Sequence, residues 1–200
     1  MALINLTFED LPKKSLLLAE EELGDVKRVF SQKIAAEAIK AGKDVVYVTP
    51  KSKEDIDSQV ALYGIAGNDK LKVIEKFTDG SKLQTVCGGD LCIIEKFTLM
   101  NISTDINHLV YILNSLADIS RTKNIVFLLT SDMGVMTERS EKILRAMVEG
   151  VIQFSIVYEE NKITRYMSIP KLNGAAPVDR KIPFALGENG IVIDTRERFA

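Results

Sequence analysis

The sequence predicts an α/β fold: a mainly parallel sheet with helices on both faces and antiparallel C-terminal hairpins. Two patterns lead to this prediction. Up to Gly150, four short apolar runs alternate with segments of helical periodicity, which is typical of strands joined by helical crossovers. Beyond Gly150, strand-like runs follow one another across short turn signals, and such runs pair as hairpins.

The elements of the first half are read from apolar runs and from the glycines that follow them. In chain order they are a strand at 15–19, a helix at 24–41, a strand at 45–49, a helix at 53–63, a short strand at 71–74 and a strand at 91–95. The strands are apolar runs, and the helices carry apolar residues at intervals of three and four. Gly42 and Gly64 end the two helices. In the second helix we expect Ile56, Val60 and Leu62 to face inward.

The second half continues this alternation and then turns to strands. In chain order the predicted elements are a helix at 103–120, a strand at 125–130, a helix at 138–148, a hairpin of 151–159 with 162–169, and a hairpin of 182–186 with 191–194. The run at 125–130 is the most apolar in the chain. Glu160-Asn161 and residues 187–190 supply the two hairpin turns.

Composition predicts one soluble domain spanning residues 1–200. The chain has 200 residues, of which 46% are hydrophobic and 27% charged, and its net charge is −2. This balance gives no reason to expect a nucleic-acid partner. Cys87 and Cys92 are the only cysteines, which favours a reducing, cytoplasmic location, and we expect Cys92 in the core. The N-terminal residues lack the basic start of a signal peptide, and no apolar stretch approaches the roughly 20 residues of a membrane helix. We therefore expect neither export nor a membrane span.

The segment between the first strand and the first helix is acidic. A phosphate-binding loop at this position is rich in glycine and ends in Lys-Ser/Thr. The corresponding eight residues here are Ala19, Glu20, Glu21, Glu22, Leu23, Gly24, Asp25 and Val26. Asp25 therefore stands at the lysine position, and Val26 at the hydroxyl position. A carboxylate about 4 Å from a phosphate charge costs roughly 1 kcal/mol in water and several at lower dielectric.

Two interpretations of this acidic segment stay open. Its carboxylates occupy the anion site at the helix start, or they form a solvated loop with no specific role. Both predict weak or absent ATP binding. Lys27 and Arg28 lie one turn into the helix, at the wrong offset to replace the lost lysine, and we expect both to be exposed.

The order of elements, together with motifs in the last third, resembles the RecA-like ATPases of the KaiC family. The motifs are Glu149-Gly150-Val151-Ile152, the run from Arg165 to Gly174, and Pro183-Phe184-Ala185-Leu186 followed by Gly190-Ile191-Val192-Ile193. The resemblance covers about residues 6–194, and the segments at 30–34 and 45–48 resemble FlaH-like archaeal members of the family. It implies a RecA-like P-loop NTPase fold and, in this family, rings or paired subunits.

Carried over by position, the resemblance implies a damaged site. Glu95, at the end of the strand at 91–95, stands where the family has a magnesium-binding Asp, and Pro50-Lys51 stand where it has catalytic acidic residues. Thr130 and Ser131, at the end of the strand at 125–130, match residues that sense the γ-phosphate. The family also has a lysine that reaches the neighbouring subunit's nucleotide. Its counterpart is Lys171, while the arginine companion is Asn173.

These observations predict a catalytically inactive pseudo-ATPase that serves as a protein-binding or regulatory subunit. The alternative is an ATPase with an unconventional site, using Gly24 and a metal on Glu95. We expect no cofactor and no metal, with weak binding of ATP and Mg²⁺ left open. A protein partner or a homo-oligomer is expected, but no membrane. The loop after the strand at 125–130 offers an apolar candidate surface for a partner: Met133, Val135 and Met136.

Overall fold

Nine strands and six helices make up the regular structure of the described part of the chain. The computed structural model describes residues 6–22, 24–159, 162–174, 178–187 and 190–193. The strands are β1 (Leu16–Glu21), β2 (Val45–Val48), β3 (Leu71–Ile74), β4 (Leu91–Ile94), β5 (Val126–Asp132), β6 (Gly150–Glu159), β7 (Lys162–Leu172), β8 (Val178–Gly187) and β9 (Gly190–Ile193). The helices are α1 (Val26–Lys40), α2 (Lys53–Val60), α3 (Leu83–Val86), α4 (Phe97–Met100), α5 (Ile106–Lys123) and α6 (Glu138–Met147).

All nine strands belong to one sheet, in the order β3-β2-β4-β5-β1-β6-β7-β8-β9. The predicted α/β class, with a mainly parallel sheet and antiparallel C-terminal strands, is confirmed. One detail differs. β6 was expected to begin the antiparallel part, yet it lies parallel to β1, with Leu17 opposite Gly150 and Glu21 opposite Phe154. The hairpin pattern shows only that β6 pairs with β7, because the pairing with β1 joins residues far apart in sequence.

The sheet separates two hydrophobic clusters, one on each face. In β1, Leu17 and Ala19 pack on the α1 side, whereas Leu16 and Leu18 pack on the α5 side. Successive side chains of a strand point to opposite faces, so a strand covered on both sides must be apolar throughout. This explains why the central strands are continuous apolar runs. The last two residues of β1 are the exception, because both are buried glutamates.

Helix ends account for most differences from the predicted elements. α5 starts at Ile106 rather than at residue 103, because the Asp105 side chain accepts hydrogen bonds from the amides of Asn107 and His108. α2 ends at Val60, where a single 3₁₀ turn leads to Gly64. The inward orientation predicted for Leu62 is wrong, since this turn leaves its side chain 75% exposed. α3 and α4 have four residues each, which is too short for a periodic pattern.

Both predicted hairpins are present. β6 pairs with β7 up to Glu159 opposite Lys162, and β8 pairs with β9 up to Gly187 opposite Gly190. The turn residues Glu160-Asn161 and 188–189 lie outside the described residues, as does Asp194. Within the described ranges, no helix has the length and apolar character needed to cross a membrane.

Candidate functional site

Charged and polar side chains gather where the parallel strands end. β1, β4 and β5 finish at the same edge of the sheet, with Glu21, Glu95 and Asp132 at or just beyond their last residues. Ligands of open α/β sheets bind at this carboxyl edge, where the helices begin. We therefore take this edge, together with the start of α1, as the candidate site.

The acidic segment divides between strand and turn. Ala19 lies in β1, as predicted for the strand at 15–19, and the strand continues through Glu20 and Glu21, which pair with β5 and β6 rather than forming a loop. Gly24 and Asp25 lie in the turn, Val26 opens α1, and Glu22 is exposed. Leu23 lies outside the described residues. β1 extends this far because β5 and β6 are both long enough to pair with it.

Glu21 places its carboxylate on the N-terminal amides of α1. Its Oε2 accepts hydrogen bonds from the amides of Val26 at 2.8 Å and Lys27 at 3.3 Å. Its Oε1 is buried and makes no hydrogen bond within the described part of the chain. Gly24 has a φ of 128°, which L side chains rarely adopt, and a Cβ added there would lie 2.6 Å from this Oε1, so the position favours glycine. An anion at the positive end of a helix is favourable, and here the anion is a side chain.

Burial raises the pKa of Glu21 above its usual value. Hydrogen bonds from the amides of Lys27 and Val26, and the charge of Lys27, act in the opposite direction, while the charge of Asp25 adds to the rise. The pKa of Asp25 is lowered. Burial acts to raise it, but the hydrogen bond and the charge of Arg28 outweigh that effect, with help from Lys51 and Lys27.

Lys27 lies inside the site, so the expectation that it is exposed is wrong. Its Nζ is 2.7 Å from Asp132 Oδ1, 2.9 Å from the Gly24 carbonyl oxygen and 3.7 Å from Glu21 Oε2. A residue in the first turn of a helix can direct its side chain back past the N-terminus. Lys27 does so because two carboxylates and a carbonyl oxygen lie there and bind its ammonium group. Arg28 is only partly exposed and pairs with Asp25 at 3.3 Å.

Glu20 is held by a second group of polar side chains. Arg145 Nε lies 2.9 Å and 3.0 Å from its two oxygens, and the amide of the Gln153 side chain donates to Oε1 at 2.6 Å. Arg145 also donates to Glu141 at 3.1 Å, and Glu141 accepts from the Gly134 amide at 2.6 Å. The network joins β1, β6 and α6, and Glu20 is buried within it.

The carboxylate of Glu95 forms an ion pair with a lysine. Lys51 Nζ lies 2.9 Å from its Oε1, and the Thr49 hydroxyl donates to its Oε2 at 2.6 Å. The resemblance puts Lys51 at the position of a catalytic acidic residue, and the structure brings this lysine onto Glu95, the carboxylate at the position of the family's magnesium-binding Asp. Over the described residues, no group of three or more His, Cys, Asp or Glu side chains is arranged to hold a metal ion.

The two sensor candidates lie within β5 rather than after it. Thr130 and Ser131 pair with Ala19 and Glu20 of β1 and are buried. The Thr130 hydroxyl accepts a hydrogen bond from the Lys96 amide at 2.9 Å. β5 was expected to end at residue 130, and it continues to Asp132, which pairs with Glu21 of β1.

The remaining candidates lie elsewhere. Met136 is part of the core cluster, which removes it from the apolar surface proposed for a partner, while Met133 and Val135 are half-buried. Lys171 donates to the carbonyl oxygens of Arg145 at 3.3 Å and Ala146 at 2.8 Å, at the C-terminal end of α6. Asn173 has an exposed side chain, and its amide donates to the Glu149 carbonyl at 2.9 Å.

Sequence reasoning missed Arg145, Gln153 and Asp132 as members of the site. Arg145 and Gln153 are far from Glu20 in sequence, so no local pattern links them. Asp132 carried a usable signal, since a carboxylate two residues beyond an apolar strand points to the ligand edge of a parallel sheet.

Comparison with known proteins assigns the chain to a family. A family model described as the KaiC ATPase matches residues 86–198, more than half of the chain. The chain belongs to the KaiC family of ATPases. This KaiC-family match contains Glu95, Thr130 and Lys171, whereas the acidic segment at 19–26 precedes it. No curated protein matches the chain.

Two solved structures share the KaiC-family fold. The flagellar accessory protein FlaH from Methanocaldococcus jannaschii superposes with a TM-score of 0.78 and 18% identity, over 92% of this chain and 91% of that one. The KaiC-like protein PH0186 from Pyrococcus horikoshii OT3 gives a TM-score of 0.74 and 18% identity, with the same coverage of 92% and 91%. These similarities confirm the RecA-like architecture.

Proposed function

We propose that this KaiC-family chain is a pseudo-ATPase that acts as a protein-binding or regulatory subunit. The observation that carries the proposal is the pair of internal charges at the carboxyl edge. The Glu21 carboxylate caps the amides where a phosphate would bind, and the Lys51 ammonium sits on Glu95 where a metal would bind. An anion replaces the phosphate and a cation replaces the metal, so both subsites are already neutralised by the chain.

Nucleotide binding would have to displace both contacts. Moving Glu21 leaves a carboxylate facing the incoming phosphates, and each such pair at about 4 Å is unfavourable by roughly 1 kcal/mol even in water. Moving Lys51 leaves Glu95, whose side chain is 3% exposed, without its ion pair. Asp25 adds a further negative charge at the family's lysine position. Weak binding or none follows from these charges.

The deciding experiment is a titration of the wild-type protein with ATP or ADP in the presence of Mg²⁺, followed by thermal shift and calorimetry. A nucleotide present at 100 times its Kd would stabilise the folded state by about 2.7 kcal/mol. We expect no shift and no heat at millimolar nucleotide. A magnesium-dependent shift would contradict the proposal.

The alternative function is an ATPase with an unconventional nucleotide site, and Lys27 is the observation that favours it. A buried amine does stand at the start of α1, 2.9 Å from the Gly24 carbonyl, although its position is two residues later than the family's lysine. If nucleotide binds, K27M should abolish binding while K33M, a substitution in the next turn of α1, should not. If K27M leaves the affinity unchanged, this alternative fails.

We propose a protein partner or a second copy of the chain as the binding target. Lys171 would serve a neighbouring subunit only if it left the two carbonyls of α6 that it now binds. Light scattering after size exclusion, with and without nucleotide, distinguishes a monomer from a ring. An oligomer that forms only with nucleotide would argue for the ATPase.

A further inference from the structure

A groove lies at the amino edge of the sheet, opposite the candidate site. It has a volume of about 570 Å³ and is formed by the segment before β1, the end of α1 and the starts of β2, β4 and β5. A second hollow of about 440 Å³ shares Phe8, Glu9 and Ala41 with it, so the two adjoin. Nothing in the proposed function uses this edge.

The floor of the groove is apolar. Leu11 and Val126 are buried core residues, and Phe8 packs partly on the α1 cluster while also lining both hollows. An apolar floor between polar walls is typical of a site that takes a side chain from a ligand. A small inorganic ion would leave this floor without a contact.

The walls carry three lysines that have no partner in the part of the chain that the structure describes. Lys13 and Lys14 line the groove, Lys40 lines the adjoining hollow, and all three side chains are exposed and make no hydrogen bond or ion pair within the described residues. Lys14 also has a φ of 53°, a left-handed conformation that is uncommon outside glycine. Three free ammonium groups around one groove attract an anionic ligand.

The carboxylates of the groove are mostly engaged. Asp90 accepts from Lys43 at 3.4 Å and from the Asp44 amide at 2.9 Å. Glu37, in the adjoining hollow, accepts from the Phe8 amide at 3.0 Å and pairs with Lys33 at 3.6 Å. Glu9 is exposed and has no partner within the described residues. Among the described residues of the two hollows, three lysines without an ion pair therefore face one carboxylate without a partner.

We propose that this groove binds an acidic peptide segment of a partner protein, with one apolar or aromatic side chain seated on the Leu11–Val126 floor. The carboxylates of the peptide would pair with Lys13 and Lys14. The C-terminal end of α1 lies at Ala41 and carries the negative end of the helix dipole, so the acidic groups are directed toward the lysines before β1. Nucleic acid fits less well, because the groove is short, apolar at its base and part of a chain with a net charge of −2.

The probe is the capped pentapeptide Glu-Glu-Phe-Glu-Glu. Its binding is measured by calorimetry and by the amide chemical shifts of the isotope-labelled protein. We expect binding that moves the resonances of Leu11, Ala41 and Val126. The K13E/K14E variant should weaken binding about tenfold, and E9Q should tighten it roughly threefold, as expected for one or two exposed charges. K13Q/K14Q replaces the reversed pair if charge reversal disturbs folding.

Matched controls separate a site from general attraction. K53E/K72E makes the same charge change at exposed lysines away from the groove and should leave the affinity unchanged. The peptide Glu-Glu-Gly-Glu-Glu, without its aromatic ring, should bind more weakly. Equal loss in both lysine pairs, no binding at millimolar peptide, or tighter binding of a single-stranded oligonucleotide at the same resonances would overturn the proposal. Nucleotide binding at the carboxyl edge would overturn the proposed function and leave this result untouched.

Discussion

Glu21 holds a carboxylate at the start of α1 in surroundings that oppose its ionisation. Burial raises its pKa, and the two helix amides and Lys27 compensate only in part. Because the folded pKa exceeds the usual value of 4.5, the folded chain keeps a proton there at pH values where the unfolded chain has lost it. The stability contributed by this group is complete below pH 4.5 and falls as the pH rises through the raised pKa.

The Glu21→Gln variant removes this titration and keeps an oxygen acceptor for the amides of Val26 and Lys27. We expect the wild type to lose stability relative to the variant as the pH rises from about 4.5 toward neutrality. Urea unfolding of both proteins across this range measures the difference. Glu22→Gln, at an exposed neighbour, should show no such trend. A difference between E21Q and wild type that stays constant with pH would contradict the assignment.

The contact between Lys51 and Glu95 can be measured directly. Lys51 is about one-quarter exposed and Glu95 is buried, so solvent screens the pair only in part. We expect a coupling free energy of about 1 kcal/mol between the two residues. A double-mutant cycle of K51M, E95Q and their combination, followed by urea unfolding, provides it. The exposed pair Lys82–Asp79 is the comparison and should show no measurable coupling. Additive effects at 51 and 95 would refute the pairing.

At the level of elements, Arg145 fastens α6 to β1. It is the ion-pair partner of buried Glu20, and it also binds Glu141 one turn earlier in the same helix. Removing one partner of a buried pair is costly because the other charge stays buried. α6 therefore owes part of its position to a contact made at the edge of the sheet, in addition to the packing of its single buried leucine, Leu144.

The R145M variant tests this contact. We expect R145M to lower the free energy of unfolding by about 2 kcal/mol. This is less than the roughly 3–5 kcal/mol lost when a fully buried pair is broken, because Arg145 is partly exposed. Faster amide exchange in α6 than in α5 should accompany the loss. R139M, at an exposed arginine of the same helix, should change the stability by less than about 0.5 kcal/mol. Equal effects of the two substitutions would show that charge alone, and not the contact with Glu20, matters.

The elements were largely predictable from sequence, and the site was predictable only in part. Apolar runs identify the parallel strands, because strands buried on both faces must be apolar, and glycines identify helix ends such as Gly42. The buried position of Lys27 was not predictable, since helical periodicity gives the direction of a side chain from its helix but not the charges beyond the helix end. The parallel pairing of β6 with β1 was equally hidden, because it depends on contacts distant in sequence.

For the whole molecule, the fold separates two kinds of edge. At the carboxyl edge, Glu20, Glu21 and Glu95 each have a cationic neighbour within the chain, at Arg145, Lys27 and Lys51 respectively. At the amino edge, Lys13 and Lys14 have no such partner in the described structure. A site whose charges are internally matched has little affinity left for a charged ligand, whereas unmatched charges remain available. This contrast is the reason for proposing that a partner binds at the amino edge.

The internal charges also determine how nucleotide binding could be restored. D25K/V26T brings back the family's lysine and hydroxyl, but Glu21 still occupies the helix amides, so we expect no response to ATP and Mg²⁺. Adding E21A frees those amides, and the triple variant should gain a nucleotide-dependent thermal shift, with about 1.4 kcal/mol of stabilisation for each tenfold excess of nucleotide over its Kd. D25K/V26T with E22A serves as the control, because Glu22 is exposed and caps nothing. If D25K/V26T alone binds ATP, Glu21 does not block the site. If the folded triple variant shows no thermal shift with nucleotide, residues other than those at the start of α1 prevent nucleotide binding.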